Sequence, residues 1–489
     1  MNLVVETRQG RIRGEQKRGV GVWRAIPYAE PPLGELRFLP PRPPRAWDGE
    51  RDGTRYSAVA MQSRDPRIAM MSGITDAMAM SEDCLQLDVY APTTDGAPRP
   101  VLVWIHGGAF VMGAGSLPLY SGVGFAARHD LVVVTVNYRL GLLGLMYLGE
   151  LGGERYAHGN VTLLDQLAAL RWVRDNIAAF GGDPAQVTVM GESAGAISIA
   201  NLLGMPAARN LFQRAILESG ASPLLVPTRE DATALAREAL DALGVGLDTL
   251  AQVPAERIVV IQEKLASTRG LATFAPYVDG VTLPRPPIDT IRSGAGVRVP
   301  LLLGYNRDEW SLFDLFLGEA LTQLVIGQVR GRLGPFAELA HAAYRAARPE
   351  HSAHQAWVDV LGELSFRIPQ IRLAEAHQAP VHMYRFDWAS SAFEGRLGAA
   401  HAIELPFVWN RLDNPLTRVL LGGDAPGALE LAAAMHDTWA AFVRTGDPNG
   451  AGLPAWPAYD ARRRATLIID RASRVVDDPD SATRTIWPL

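Results

Sequence analysis

Apolar runs alternate along most of this chain with stretches whose apolar positions recur at helical spacing. One helix is predicted from about Thr162 to Phe180, where Gly181 and Pro184 follow and end it. Strands alternating with helices indicate an α/β fold, with a mainly parallel central sheet covered by helices on both faces. The predicted strands are Leu85 to Tyr90, Pro100 to Ile105, Leu131 to Val136, Val187 to Met190, Arg214 to Glu218, Val299 to Leu303, 381–387 and the segment around Leu467 to Ile469.

Two regions depart from this alternation. Residues 3–24 form short alternating runs separated by glycines, which predicts antiparallel strands at a sheet edge. Residues from about 310 to 380 show amphipathic helical spacing without strands, so we expect a helical insertion over the functional edge of the sheet. Because strands on both sides of this insertion are needed for one sheet, we expect a single elaborated domain over residues 1–489.

Composition narrows the class of protein. The 489 residues are 48% hydrophobic and carry a net charge of −5, which supports a large core and argues against a nucleic-acid partner. Cys84 is the only cysteine, so no intrachain disulfide can form and a reducing compartment is compatible. No signal peptide, membrane span, metal cluster or phosphate loop is visible. We therefore expect a cytoplasmic protein without a cofactor or metal, and the oligomeric state stays open.

The pentad Gly191-Glu192-Ser193-Ala194-Gly195 lies between a predicted strand and a small, apolar helical stretch. G-x-S-x-G in that context is typical of a nucleophile elbow, whose tight turn presents the serine at the head of the helix. Flanking glycines remove side chains that would collide with the neighbouring strand and helix. The sequence predicts that Ser193 is a nucleophile, and a plain structural turn is the alternative.

A serine nucleophile also needs N–H donors for the oxyanion. His106-Gly107-Gly108-Ala109-Phe110 directly follows the strand that ends at Ile105, and it is similar to the HGG-type loop of lipases and esterases. We assign the N–H groups of Gly107, Gly108 and Ala194 as the donors. An ordinary glycine turn after a strand is the alternative.

The serine further needs a base, and the base an orienting acid, which follow it in the order acid, then histidine. Asp308 and Glu309 both come just after a predicted strand, and spacing alone does not choose between them. His401 lies in a glycine-opened loop, where a catalytic histidine is expected. Other histidines have structural explanations: His382 lies in a strand, His436 lies in a helix, and exposure is expected for His341, His351, His354 and His377.

Taken together, these motifs resemble the type-B carboxylesterases, which include bacterial para-nitrobenzyl esterases, liver carboxylesterases and cholinesterases. The resemblance implies an α/β-hydrolase fold and hydrolysis of small-molecule carboxylic esters through an acyl-serine intermediate. It also implies that Glu309 is the acid and His401 the base. The resemblance rests on Ile26–Phe38, Glu82-Asp83-Cys84-Leu85, His106–Phe110, Asn137–Gly141, Gly159-Asn160, Leu164–Gln166, Phe180–Pro184, Gly191–Gly195, Asp308-Glu309, His401 with Glu404, and Asp447–Gly450.

The resemblance implies further pairings and some open choices. It implies ion pairs of Arg37 with Glu82 and of Arg139 with Asp165. It also implies that Glu192, Ser219 and Glu404 form a polar network around the triad. The alternative is that these residues only make structural hydrogen bonds. Methionines in residues 61–80 line a binding site or fill a surface loop. Trp310 stands where the family usually has glycine, so we expect the pocket to differ from that of relatives at this position.

The functional alternatives fall into two groups. An amidase, a carbamate hydrolase or a lipase of the same fold would use the same nucleophile and the same loop of N–H donors. The second group is a binding or adhesion protein of this fold that has no catalytic activity, but the intact set of Ser193, Glu309 and His401 argues against it. Labelling by an organophosphate separates a hydrolase from a binding protein.

Overall fold

The computed structural model describes residues 3–92, 96–224, 226–270, 273–423 and 425–487. The chain divides into two compact units, and the division falls within one strand. The first unit comprises Met1–Ile216 and Val226–Val299, and the second comprises Leu217–Leu225 and Pro300–Leu489. The strand at the division is β10, Arg214–Glu218, which has the bounds that the sequence predicts.

The first unit contains nine complete strands. Three of them form a small sheet in the order β1-β2-β5, and six form a larger one in the order β9-β7-β8-β6-β4-β3. Within the larger sheet β7 pairs in parallel with β8 and β9, whereas the edge pairs are antiparallel. The strands are β1 Val4–Thr7, β2 Gly10–Arg13, β3 Glu15–Lys17, β4 Val20–Pro27, β5 Glu50–Asp52, β6 Gln86–Pro92, β7 Arg99–Ile105, β8 Val132–Val136 and β9 Gly182–Glu192.

Helices pack around these strands, and the longer ones bury an apolar face. The long helix α5 buries Leu163, Leu167, Leu170 and Val173, which recur at helical spacing. The helices of this unit are α1 Pro66–Ser72, α2 Val123–His129, α3 Gly141–Leu145, α4 Gly149–Gly152, α5 Val161–Asn176, α6 Ala194–Leu203, α7 Arg229–Leu243, α8 Leu247–Leu250, α9 Ala255–Arg269 and α10 Pro287–Arg292.

The second unit has its own strands and most of the predicted insertion. β11, β12 and β13 are parallel neighbours, and β14 adds antiparallel to β13. The stretch 310–380 is helical, with a π-helical turn at Glu363–Arg367. The strands are β11 Leu301–Asn306, β12 Val381–Phe386, β13 Ala465–Ile469 and β14 Arg474–Asp477; the helices are α11 Ser311–Leu317, α12 Glu319–Leu333, α13 Pro335–Ala347, α14 Ala353–Gly362, α15 Ile368–Ala376, α16 Leu405–Val408, α17 Pro415–Leu421, α18 Ala428–Thr445 and α19 Ser481–Arg484.

Several predictions made from the sequence can be compared with the observed fold. The N-terminal strands are antiparallel as predicted, but they divide between two sheets: β1 pairs with β2, and β3 pairs with β4. The methionine-rich segment contains α1, which the sequence did not predict. No helix among the described residues is long and apolar enough to cross a membrane. The single domain over 1–489 stays a prediction.

Candidate active site

Ser193 lies between the end of β9 and the start of α6, and its backbone is strained. Its φ of 54° and ψ of −122° lie in a region that residues with a side chain rarely adopt. Gly191 and Gly195 are required on either side. A Cβ on Gly195 would lie 2.0 Å from the Ile105 carbonyl oxygen, and one on Gly191 would lie 2.7 Å from the Gly195 carbonyl carbon. The backbone therefore holds Ser193 in the geometry that a nucleophile elbow needs.

The glycine-rich loop after β7 packs directly against this turn. A Cβ on Gly107 would come within 2.7 Å of Glu192 Oε2 and 3.0 Å of Ser193 Cβ. Gly108 has a φ of +109°, and a Cβ there would lie 2.1 Å from the Met112 carbonyl oxygen. The structure thus brings Gly107 close to the Ser193 turn, Gly108 follows it in the chain, and Ala194 follows the serine as the first residue of α6.

One more residue of this loop has the features of an oxyanion donor. Ala109 has a positive φ of 51° and is partly exposed, as Gly108 is, whereas Gly107 is buried. Val111 and Met112 donate their N–H groups to the Gly108 carbonyl, each over 3.0 Å, so the Ala109 N–H points away from that pair. Sequence reasoning missed Ala109 because it looked for glycine, the usual residue at a positive φ.

The second unit brings the predicted acid and base together. His401 Nδ1 lies 2.6 Å from Glu309 Oε2, and both side chains are buried. The other Glu309 oxygen accepts the Asn306 N–H over 2.7 Å, which fixes the carboxylate. A buried carboxylate on the Nδ1 side of an imidazole selects one tautomer and stabilises the imidazolium. This pair therefore has the geometry of an orienting acid and a general base.

Two polar side chains tie the His401 loop to the loop after β11. Asp308 and Ala399 exchange bonds: the Asp308 N–H donates to the Ala399 carbonyl, and the Ala399 N–H donates to Asp308 Oδ2, each over 2.9 Å. The Asn306 amide donates to the Ala400 carbonyl over 2.7 Å and also to Glu404. Asp308 is thus engaged with backbone, while Glu309 faces the imidazole.

Asp308 is also held as an anion. Burial raises the pKa of its carboxyl, but hydrogen bonds and charge from Arg307 outweigh burial, so the pKa lies below its ordinary value. Arg307 Nη2 donates to Asp308 Oδ2 over 2.8 Å, and Arg348 lies 3.6 Å from the other oxygen. Neither spacing nor composition predicted this role, because it depends on where Ala399 and Arg348 come in space.

Aromatic rings flank the imidazole. The His401 ring centroid lies 4.5 Å from that of Phe366 and 5.1 Å from that of Phe313. Trp310 packs behind them, 4.9 Å from Phe313 and 6.5 Å from Phe366. Rings packed this closely restrict rotation of the imidazole. Phe366 belongs to the π-helical turn, which no sequence pattern indicated.

The three residues expected in a polar network are all buried. Glu192 lies in the first unit beside Gly107, and Glu404 in the second accepts from Asn306. Ser219 has a positive φ of 47°, and its N–H donates to the Gly304 carbonyl over 2.7 Å. Their participation in a network around the triad stays a prediction.

Other expectations fall outside this site. Arg37 pairs with Glu82 and Arg139 pairs with Asp165, as the resemblance implied. The four histidines expected to be exposed are partly buried instead, because they have partners: His351 bonds Asp359, for example, and His354 bonds Asp314, each at 2.8 Å. In the described part of the chain, no group of three or more His, Cys, Asp or Glu side chains is placed to hold a metal ion.

Comparison with known proteins adds to this geometry. The sequence profile of the Carboxylesterase family matches residues 1–487. The para-nitrobenzyl esterase of Bacillus subtilis (strain 168) is 41% identical, over 98% of this chain and 97% of that protein. The phenmedipham hydrolase of Pseudarthrobacter oxydans is 37% identical, over 97% of each chain.

A solved structure gives the same result at the level of the fold. The carboxylesterase EST55 of Geobacillus stearothermophilus is 43% identical and superposes with a TM-score of 0.89, over 99% of this chain and 100% of that one. Such a match at this identity confirms the α/β-hydrolase fold that the sequence predicts. The chain belongs to the carboxylesterase family and is a carboxylic ester hydrolase.

Proposed function

We propose that the chain hydrolyses esters with Ser193 as the nucleophile, His401 as the general base and Glu309 as its orienting acid. His401 Nε2 takes the hydroxyl proton while Ser193 Oγ forms a bond to the ester carbonyl carbon. The imidazolium, stabilised by Glu309, then returns the proton to the leaving alcohol as the C–O bond breaks. Water attacks the acyl-serine by the same route and releases the acid.

The developing oxyanion is stabilised, in this proposal, by the N–H groups of Gly107, Gly108 and Ala194, with Ala109 as a further donor. The Ala194 N–H lies at the N-terminus of a ten-residue helix, where the dipole favours negative charge. Glu192, Ser219 and Glu404 are proposed to surround the triad as a polar network, supported by their burial.

The observation that carries the proposal is the backbone of Ser193, held at positive φ between β9 and α6 in a carboxylesterase chain. A strained residue of this kind persists only where the surroundings enforce it. An organophosphate should label one serine per chain, and peptide mapping should locate the label at Ser193. Wild-type enzyme that hydrolyses esters without labelling at Ser193 would contradict the assignment.

Removing the hydroxyl should abolish turnover. Ser193→Ala is expected to lower kcat by roughly 10⁴-fold or more, since no nucleophile remains. Ser198→Ala is a matched control on the same helix, because Ser198 is buried and accepts from Gln166 over 3.0 Å. Steady-state rates of both variants with a para-nitrophenyl ester, measured on preparations free of host esterase, test this prediction. Ser198→Ala should keep its activity.

The substrate is proposed to be a small ester, and a relative's name suggests where to begin. Because a protein 41% identical is called a para-nitrobenzyl esterase, para-nitrobenzyl esters are the first compounds to test, followed by para-nitrophenyl esters of increasing acyl length. A cytoplasmic location is also part of the proposal, supported by the single, buried Cys84. Fractionation of the producing cell tests it.

A further inference from the structure

One long helix of the second unit opens into a π-helical turn beside His401. α14 and α15 follow each other across this turn, Glu363–Arg367, without a loop between them. π-Helical turns are rare and are found frequently at functional sites. Pro369 comes just after the turn, and because proline has no N–H, one bond of an ordinary helical turn is missing there. The helix is weakened at this point, so contacts from outside it must hold the turn.

Arg367, the last residue of the turn, makes such contacts. Its side chain is almost fully buried, and Nη2 donates to the carbonyls of Pro479 and Asp480 over 2.6 and 3.2 Å. Nη1 donates to Thr483 Oγ1 over 3.3 Å. These three acceptors lie in the segment just after β14. A fourth bond, from Nη1 to Glu363 Oε2 over 2.6 Å, stays within the turn and does not reach another segment. One side chain therefore fastens the turn to the segment after β14.

Phe366, the neighbouring residue of the turn, packs against the imidazole. Its ring centroid lies 4.5 Å from that of His401, and the ring is almost fully buried. It also stacks on Phe313, with the two planes 7° from parallel. The contact of Nδ1 with Glu309 fixes one atom of the imidazole but leaves the ring able to tilt about it. Close packing of a second ring limits that tilt, so the direction of Nε2 depends on where the turn places Phe366.

We propose that Arg367 is a positioning residue for His401, which holds Phe366 against the imidazole by fastening the π-helical turn to the segment after β14. The inference rests on the proposed function, because the direction of His401 Nε2 matters only if His401 is the general base. A base and a nucleophile react rapidly only when their geometry is held, and a displacement of about 1 Å can lower the rate about 100-fold. Arg367 acts in this proposal through Phe366 and does not contact the substrate.

Arg367→Met keeps much of the apolar stem and removes the four hydrogen bonds. We expect kcat, expressed per organophosphate-labelled serine, to fall about tenfold while KM changes by less than about twofold, because the imidazole is present but poorly aimed. A merely structural role would reduce the number of labelled serines and leave kcat per labelled serine unchanged, and that result would overturn the proposal.

Phe366→Ala shows whether Arg367 acts through the aromatic ring. We expect this variant to lower kcat per labelled serine by itself. Once the ring is absent, adding Arg367→Met should lower kcat by less than about twofold further, because the two side chains act on His401 as one unit. If Arg367 only supported the fold, the two losses would multiply. A full tenfold loss from Arg367→Met in the Phe366→Ala background would therefore overturn the inference.

Arg464→Met is the matched control. Arg464 Nη2 lies 2.8 Å from Glu375 Oε1 of α15, so its loss removes an ion pair from the same long helix, about two turns beyond the π-helical turn. Its kcat per labelled serine should stay within about twofold of wild type. Equal losses in Arg367→Met and Arg464→Met would overturn the proposal, because general loosening of the helix would then explain both. None of these results would affect the proposed function, which fails only if the wild-type enzyme is not labelled at Ser193.

Discussion

The two halves of the proposed site are built by different means. The Ser193 half, made of Gly107–Ala109, Ser193 and Ala194, is shaped by the backbone: positive φ angles and glycines where a Cβ would collide. The His401 half, made of Glu309, His401 and the loops that carry them, is shaped by side chains that bond to neighbouring backbone.

That difference explains what each half tolerates. A backbone-built site fails when any side chain is added, because atoms would overlap. A side-chain-built site fails by degrees, because each hydrogen bond contributes separately and a partner such as Asn can replace part of what Asp supplied. Substitutions should therefore lower kcat more steeply in the Ser193 half than in the His401 half, except at Glu309 itself.

Glu309→Gln should have the largest effect in the His401 half. A neutral amide cannot stabilise the imidazolium, and it can hold the ring in the wrong tautomer, so kcat should fall about 10³- to 10⁴-fold. Glu363→Gln is the matched control, because Glu363 is also a carboxylate of the second unit, but it pairs with Arg367 over 2.6 Å and is not part of the proposed triad. A loss smaller than that of Asp308→Asn would mean that Glu309 is not the acid.

Gly108→Ala should have the next largest effect and tests the backbone-built half. The added Cβ would lie 2.1 Å from a carbonyl oxygen at a φ of +109°, so the loop must move and kcat should fall about 100-fold. Gly153→Ala is the control, since Gly153 also has a positive φ, of 66°, but nothing lies within 4 Å of its Cβ position. Near-wild-type kcat in Gly108→Ala would show that this half is less rigid than we argue.

Asp308→Asn should give the graded loss expected of the side-chain-built half. The amide oxygen can still accept the Ala399 N–H, but the charge that pairs with Arg307 and Arg348 is lost. We expect kcat to fall about tenfold, since the His401 loop keeps the hydrogen bond from the Ala399 N–H but loses the charge pairing with Arg307 and Arg348. Asp308→Leu, which keeps neither, should lose clearly more. Equal kcat values in the two variants would show that Asp308 does not support the His401 loop through its side chain.

The same difference explains how far the sequence could predict this molecule. Tight turns and positive φ angles require glycine at fixed positions, and these glycines form recognisable motifs. Ser193 and the loop at His106 could therefore be found from the sequence. The contacts of Asp308 and Phe366 with the His401 loop left no local pattern, because they join segments far apart in sequence. The choice of Glu309 over Asp308 came from the family resemblance and not from spacing.

The fold shows the same limit. Buried strands such as β8 and β10 each contain three consecutive apolar residues, and the sequence predicted them within a residue. It did not predict α7, although Thr228 and Asp231 form a capping box at its start and its buried positions recur at helical spacing. It also missed β14, a short, partly exposed strand that is defined by pairing with β13 rather than by its own residues.

The smallest expected effect lies in the pH dependence, and it separates the halves by charge. None of the side chains of the Ser193 half, Gly107–Ala109, Ser193 and Ala194, titrates between pH 5 and 8. Gly108→Ala should therefore lower kcat/KM at every pH without moving its acid limb, which reports the ionisation of the general base.

Asp308→Asn should move that limb. The Arg307 contacts keep the pKa of Asp308 below its ordinary value despite burial, so the wild-type carboxylate is anionic throughout this range. Neutralising it removes a negative charge near the His401 loop, which disfavours the imidazolium, so the acid limb should shift to lower pH by about 0.3 unit. Profiles of kcat/KM from pH 5 to 8, at constant ionic strength, measure the shift. A shift to higher pH in Asp308→Asn, or an equal shift in Gly108→Ala, would contradict the division of charge between the two halves.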